Sequence, residues 1–210
     1  MTFSTQLDEA IRPQGLFIFA HGAGAGMASE FMADMASRIC AKGISVLRFN
    51  FPYMQTISDT GKRRPPDKID KLLAHYLALV SDVRSRYSGP LIIGGKSMGG
   101  RVATMVLNQC QADAALVFGY PFHPPGKPEK LRTDHLRVLH KPVCIVQGER
   151  DTFGQKDEVM GYDLPPHVQL NFLPDGDHSL KPRKASGFTL DSHLQTAAMV
   201  GSEFIRTLET

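Results

Sequence analysis

The sequence predicts an α/β fold, in which a mainly parallel sheet of about six to seven strands is covered by helices on both faces. Short, almost continuously apolar runs alternate with longer amphipathic segments along the 210 residues. This alternation is typical of strands that helices bury on both sides. The length suits a single domain over residues 1–210, and no connection is long enough to hold a separate cap domain of several helices.

Six segments are predicted strands because they are short, apolar and separated by helical or turn-rich segments. They are residues 16–20, 45–49, 91–94, 115–118, 143–147 and 168–172. In a sheet of this kind the carboxyl ends of the strands meet at one edge, where binding sites form. Residues that directly follow these strands are therefore the first candidates for function.

Four segments are predicted helices from the spacing of their apolar residues. They are residues 30–41, 67–87, 98–109 and about 190–208. In the second, Asp67 is expected to cap the first turn, and Arg84 suits the negative end of the helix dipole. The Pro- and Gly-rich stretches 50–66 and 121–142 are predicted to be long loops at the carboxyl edge of the sheet.

Composition and charge favour a soluble, cytoplasmic protein. The net charge is +3 and 42% of the residues are apolar, and the basic residues form no stripe with aromatics that would indicate nucleic-acid binding. We find neither an apolar run near 18 residues nor a basic, apolar leader, so no membrane contact is expected. Cys40, Cys110 and Cys144 are odd in number and lie among apolar residues, as in a reducing compartment.

The residues Gly95-Lys96-Ser97-Met98-Gly99 fit the pattern G-x-S-x-G. They follow a predicted strand and precede a predicted helix, which is the context of a nucleophile elbow that exposes a serine hydroxyl above the sheet. A phosphate-binding P-loop is disfavoured, because it needs glycine five residues before Gly95, where Pro90 stands. Ser97 is therefore the candidate nucleophile.

A serine hydroxyl needs a base, and the base needs an orienting acid. In this architecture the acid and then the histidine follow the serine in the chain. Asp151 follows the predicted strand 143–147, with Glu149 as the second choice, and His178 follows the last predicted strand. All three groups would then lie just past the carboxyl ends of different strands, where their loops converge.

A developing oxyanion needs backbone N–H donors. One is expected from Met98, directly after the nucleophile. The other is expected from the glycine-rich loop 21–26 after the first predicted strand, with Ala23 as first choice and Gly24 as second. The glycines of this loop do not fit the dinucleotide pattern G-x-G-x-x-G, because position 27 is Met.

Further residues on the loops at this edge are candidates for an open, apolar substrate site. They are Gly22, Gly24, Tyr53, Met54, Met98, Phe122, His123 and Phe153. No pair of histidines has the spacing of a metal site such as H-E-x-x-H. The expected chemistry therefore uses neither a metal nor an organic cofactor.

Together the 21–26 loop, the motif around Ser97, Gly148–Asp151 and Gly176–Ser179 resemble the α/β-hydrolase superfamily, including its dienelactone-hydrolase-like members. More narrowly, residues 119–131 resemble the small predicted hydrolases related to testis-expressed protein 30 and to a hydrolase-like subunit of the non-specific-lethal chromatin complex. The resemblance covers about residues 15–208 and implies a triad of Ser97, Asp151 and His178. It implies no particular substrate. The superfamily's first two strands are not visible before Leu16, so a shortened sheet is expected.

The sequence thus predicts a serine hydrolase that forms an acyl-enzyme, with a carboxylesterase acting on a small substrate as the first hypothesis. Thioesters and amides are the less favoured substrates. The alternative is a binding or scaffold module that kept this fold without turnover, because fold alone does not determine function. The protein is expected to be a monomer or a homodimer.

Overall fold

The computed structural model describes residues 3–209, which form a seven-stranded sheet in the order β1-β3-β2-β4-β5-β6-β7. The strands are β1 (Thr5–Asp8), β2 (Leu16–Ala20), β3 (Ser45–Phe49), β4 (Leu91–Lys96), β5 (Ala114–Phe118), β6 (Val143–Gly148) and β7 (Val168–Leu173). Only β1 runs antiparallel, against β3, among the pairs in this sheet. Met1, Thr2 and Thr210, which the predicted domain includes, lie outside the described residues.

Helices cover both faces of the sheet. They are α1 (Glu30–Cys40), α2 (Pro52–Thr60), α3 (Ile69–Arg84), α4 (Met98–Val106), α5 (Asp134–Arg137), α6 (Lys156–Met160) and α7 (Leu190–Arg206). Apolar residues of α1 and α7 form one core against the sheet, and those of α2 to α6 form the other. Each connection between strands in the described chain holds at most two helices, which leaves no room for a cap domain.

The predicted α/β architecture is confirmed, and each of the six predicted strands is present. The strand that the sequence did not reveal is β1, which lies before Leu16 at the edge of the sheet. Its four residues Thr-Gln-Leu-Asp are exposed or half-buried, so they carry no apolar run. Its register places Thr5 opposite Phe49 and Asp8 opposite Val46, a pairing between distant parts of the chain.

The prediction of a long loop over 50–66 is wrong, because α2 occupies most of it. Pro52 at the first helical position and Gly61, with φ of 68°, suit the start and end of a helix. Asp67 does not cap α3, which begins at Ile69. Its carboxylate instead accepts the N–H of Tyr53 at 3.0 Å and so caps α2. The predicted loop 121–142 likewise contains the single-turn helix α5.

The topology brings four loops to one edge of the sheet. Strand β4 lies at the centre, parallel to β2 on one side and to β5 on the other, with β6 and β7 beyond. The carboxyl ends of these strands therefore point the same way, and the loops after β2, β4, β6 and β7 surround one site. No helix among residues 3–209 is both long and apolar enough to cross a membrane.

Candidate active site

Ser97 occupies the sharp turn between β4 and α4. Its φ of 52° and ψ of −117° lie in a region that non-glycine residues rarely adopt, and such strain costs about 1–3 kcal/mol. The turn is held by two backbone hydrogen bonds: the Ser97 N–H donates to Phe118 O at 3.1 Å, and the Arg101 N–H donates to Ser97 O at 3.0 Å. The strained turn lifts the hydroxyl above the end of the sheet.

The glycines beside Ser97 are required by close backbone contacts. A Cβ on Gly95 would lie 2.5 Å from the carbonyl oxygen of Ala20, and a Cβ on Gly99 would lie 2.5 Å from that of His21. These separations are well inside van der Waals contact and involve backbone atoms that cannot move aside. The G-x-S-x-G spacing is thus what lets α4 begin so close to β2.

A continuous chain of hydrogen bonds joins Ser97, His178 and Asp151. His178 Nδ1 lies 2.8 Å from Asp151 Oδ2, and its Nε2 lies 2.9 Å from Ser97 Oγ. A carboxylate only accepts, so Nδ1 donates to it and Nε2 is left to accept the serine hydroxyl. The structure brings these three predicted residues together in the order that nucleophilic catalysis needs.

Asp151 is fully buried and is held by three donors. Besides His178, the Phe153 N–H donates to Oδ1 and the Gln147 side-chain amide donates to Oδ2, each at 2.9 Å. Glu149, the second choice of acid, is turned away: it accepts from Lys156 Nζ at 2.8 Å and from the Asp175 N–H at 3.0 Å. The carboxylate beside the histidine is therefore that of Asp151.

The loop after β2 is fixed from beneath by buried side chains. His21 Nδ1 donates to Gly22 O at 2.6 Å, while its Nε2 accepts the Phe51 N–H at 3.1 Å. The Tyr53 hydroxyl donates to Ala23 O at 2.9 Å. In a trans peptide the N–H points opposite to the carbonyl, so the Ala23 N–H points away from the His21 ring. Burial lowers the pKa of His21 to about 4, with the Gly22 hydrogen bond acting the other way.

A cavity of about 510 Å³ opens at Ser97 and His178. Its walls come from the loop after β2, from α1, from the end of β4, from the loops after β6 and β7, and from α7. Its residues are Gly22, Ala23, Gly24, Ala25, Ser29, Glu30, Phe31, Met32, Asp34, Lys96, Ser97, Phe153, His178, Ser179, Leu190 and Leu194. The strained serine, the histidine and a glycine-rich loop thus share one mostly apolar pocket of the size that small ligands occupy.

Comparison with protein families identifies the fold. A family model described as an alpha/beta hydrolase domain matches residues 13–206. The chain belongs to the α/β-hydrolase family. The narrower resemblance to relatives of testis-expressed protein 30 stays a prediction.

Solved structures share this α/β-hydrolase fold at low identity. An alpha-beta serine hydrolase homologue from Coxiella burnetii aligns with a TM-score of 0.72 at 15% identity, over 95% of this chain and 90% of that one. A serine hydrolase without lid from Xanthomonas campestris gives 0.71 at 20%, over 95% and 88%. The esterase domain of a Rhodothermus marinus protein gives 0.67 at 15%, over 98% and 99%. Likeness at these identities concerns the fold alone.

Within this α/β-hydrolase site, some predicted lining residues are present and others are not. Gly22, Ala23, Gly24 and Phe153 line the cavity, and the Phe153 ring lies 4.2 Å from the His178 ring between centroids. Met98 does not line it. Its side chain packs against the core, while its N–H is at the first position of α4, where the helix offers no acceptor.

Tyr53, Met54, Phe122 and His123 were also expected to line the site, and the structure corrects this. All four are buried elsewhere. The Phe122 ring packs 4.7 Å from that of Tyr120, and His123 Nε2 lies 3.2 Å from a Glu158 carboxylate oxygen. These residues lie within a few positions of a strand end, but their side chains point into the core beneath the loops.

Two residues of the site were missed by the sequence interpretation. Gln147 is a fully buried amide that accepts the Tyr120 N–H at 2.7 Å while donating to Asp151. Its signal was a lone polar side chain near the end of an apolar strand. Lys96 lines the cavity and donates to the carbonyl oxygen of His178. The cavity walls on α1 and α7, such as Phe31 and Leu194, carried no signal beyond helical spacing.

Proposed function

We propose that this α/β-hydrolase is a serine carboxylesterase that works through an acyl-enzyme on a small substrate. The observation that carries the proposal is the hydrogen-bonded chain Ser97–His178–Asp151, whose serine end opens into the apolar cavity. A buried, fully hydrogen-bonded acid, a partly exposed imidazole and a strained serine form the constellation that activates a hydroxyl.

In the first half-reaction, Ser97 Oγ attacks the ester carbonyl carbon while His178 Nε2 takes the hydroxyl proton. Asp151 holds the imidazole in the required tautomer and stabilises the imidazolium. The tetrahedral intermediate then expels the alkoxide, which receives the proton from His178 and leaves as the alcohol. The acyl group remains on Ser97.

In the second half-reaction, His178 takes a proton from water, and the resulting hydroxide attacks the acyl carbon. The intermediate expels Ser97 Oγ, which regains its proton from His178, and the carboxylic acid leaves. In both steps the N–H groups of Met98 and Ala23 donate to the oxyanion. Removal of one such donor typically lowers kcat by about 10²–10³-fold. The hydrogen bonds that His21 and Tyr53 make to the carbonyls of this loop would hold the Ala23 donor in place.

The proposal is tested by the hydrolysis of p-nitrophenyl butyrate. The wild-type protein should turn over this ester, and Ser97→Ala should reduce kcat/KM to background while keeping the same melting temperature. Equal rates for the two proteins would refute the mechanism.

A scaffold without turnover is the competing hypothesis, and labelling separates the two. A fluorophosphonate should add one phosphonyl group to Ser97 in the wild type, visible in the intact mass, and none in Ser97→Ala. Prior incubation with a substrate ester should slow the labelling. A wild-type protein that neither labels nor turns over esters would support the scaffold.

A further inference from the structure

The half-buried Lys96 places an ammonium in the wall of the active-site cavity. The residue ends β4 directly before Ser97, and its Nζ donates to the His178 carbonyl oxygen and lies 5.5 Å from the centroid of the Phe31 ring. Gly119, with φ of 66°, leaves the space for it, because a Cβ there would lie 2.5 Å from Nζ. The lysine head is thus a fixed part of the cavity rather than a mobile surface charge.

No ion pair among the described residues neutralises this ammonium. It has three N–H donors, of which the His178 carbonyl takes one, and no carboxylate among residues 3–209 forms an ion pair with it. The acidic groups that act on it electrostatically are Asp151 and Asp177. Both are engaged: Asp151 by His178, and Asp177 by the N–H groups of Ser179 and Lys181. A buried cation without a partner is unfavourable unless a ligand supplies the anion.

The remaining charges of the cavity lie on α1. Asp34 is paired with Arg38 at 2.8 Å. Glu30 is in the first turn of α1, near the positive end of the helix dipole. Neither forms an ion pair with Lys96.

We propose that Lys96 is a specificity-determining residue that selects esters whose acyl group carries a carboxylate. The substrate class is then the half-esters of dicarboxylic acids. The ester carbonyl lies at Ser97, the carboxylate accepts hydrogen bonds from Lys96 Nζ, and the carbon chain between them packs against apolar residues such as Phe31 and Leu194. This inference rests on the proposed esterase activity and adds its substrate class.

The acid–base behaviour of the lysine supports the same role. Burial lowers the pKa of Lys96 to about 8, against the opposing effect of Asp151 and Asp177. The charge that attracts the carboxylate is therefore complete below this pH and is lost as the pH rises through it. Preference for an anionic acyl group should fall over the same interval.

The test compares matched ester pairs. The monoethyl esters of glutaric, adipic and pimelic acid are set against the ethyl esters in which a carboxamide replaces the free carboxylate. Ethanol release gives kcat/KM for each, and the ratio within a pair cancels effects on the shared ester chemistry. In the wild type at pH 7 we expect a ratio above about 10 for at least one chain length, since a hydrogen bond to a charged group is worth about 10- to 100-fold.

Two substitutions test whether Lys96 itself causes the preference for the half-ester. Lys96→Met should bring the ratio close to 1, mainly by raising KM for the half-ester, whereas Lys62→Met, which removes an exposed lysine, should leave it unchanged. In the wild type the ratio should fall as the pH rises from 7 to 10 and in Lys96→Met it should stay flat. The wild-type pH series stands without any substitution, so it decides the question even if Lys96→Met does not fold.

The outcomes separate the two proposals. If the wild type cleaves p-nitrophenyl butyrate but all pair ratios are near 1, or if Lys96→Met slows both members of a pair equally, the substrate class is wrong and the esterase stands. If no ester is cleaved, calorimetric titration of Ser97→Ala with monoethyl adipate decides the Lys96 inference separately. Binding that is lost in Ser97→Ala/Lys96→Met supports it, and equal or absent binding in both overturns it.

Discussion

Two loops at the same edge of the sheet each present a histidine, and the two side chains have different partners. His21 follows β2, is fully buried, and spends both ring nitrogens on backbone groups. His178 follows β7, has 24% of its side chain exposed, and contacts the side chains of Asp151 and Ser97. Both loops border the same cavity.

The difference shows that the partners of an imidazole decide its role. A ring that accepts a backbone N–H and donates to a backbone carbonyl is held neutral and has no nitrogen left for proton transfer. A ring between a carboxylate and a hydroxyl can take up a proton from one side and be stabilised from the other. His21 thus acts as a structural support of the loop after β2, and His178 as the proposed base.

The largest effect on activity is expected from replacing His178, and a much smaller one from replacing His21. His178→Ala should lower kcat by about 10⁵–10⁶-fold, as for the base of other serine hydrolases. His21→Gln should lower it by no more than about 10³-fold, the effect of losing one oxyanion donor. Ester hydrolysis by the purified variants measures both. Similar losses in the two variants would remove the distinction drawn between them.

The acid beside His178 should show the next largest effect. Asp151→Asn should lower kcat by about 10⁴-fold, because the amide favours the wrong tautomer of the imidazole. Glu149→Gln is the matched control, since Glu149 lies on the same loop but pairs with Lys156, and it should retain nearly full activity. A large loss in Glu149→Gln together with a mild one in Asp151→Asn would exchange the assigned roles.

The sequence predicts the positions of Ser97, Asp151 and His178 because each carries a local signal. The elbow needs glycines where the backbones of β2 and α4 meet, and the acid and the histidine must each follow a strand. Those constraints act within a few residues of the chain, so a pattern can report them. The same holds for the buried strands, whose apolar runs are continuous.

What the sequence could not reveal depends on contacts between distant segments. Tyr53 follows β3 just as a lining residue would, yet its ring turns under the loop and its hydroxyl reaches Ala23, 30 positions earlier. Asp67 resembles a cap for the helix that follows it but caps α2 across the intervening turn. Lys96 lies inside the motif but carries no signal of its own. Its proposed role depends on the absence of an ion pair in the folded protein, which the sequence does not show.

The buried state of His21 predicts that the stability of the fold depends on pH in the acid range. The pKa of His21 is about 4 in the folded protein and about 6.5 in an unfolded chain. The stabilisation that follows from this lowered pKa is therefore complete above pH 6.5. It is lost as the pH falls towards 4, because the unfolded chain then binds a proton that the folded one does not. The loss amounts to about 3 kcal/mol by pH 4.

Urea unfolding of the wild type and His21→Gln between pH 7 and pH 4 measures how much stability is lost through protonation of His21. The wild type should lose more stability than the variant over the interval, and the difference between the two curves isolates His21. His135, whose pKa burial and Arg101 also lower to about 4, contributes equally to both proteins and cancels. Parallel curves would show that the imidazole is not buried in its neutral form.

The smallest effect is expected at Tyr53, the second residue that supports the loop after β2. The hydroxyl of the buried Tyr53 donates to Ala23 O at 2.9 Å, so Tyr53→Phe removes this hydrogen bond and should destabilise the fold by about 1 kcal/mol. If the hydroxyl also aligns the neighbouring N–H donors, kcat should fall by about 10-fold with KM unchanged, because the oxyanion forms only after binding. Tyr76→Phe is the control. The Tyr76 hydroxyl has one hydrogen to donate, lies 2.7 Å from both Ile18 O and Gly94 O, and accepts the Gly94 N–H at 2.9 Å. Its loss should lower stability without the same loss of kcat. Equal kcat losses in the two variants would mean that Tyr53 contributes only to stability. His21 would then hold the loop after β2 without help from Tyr53.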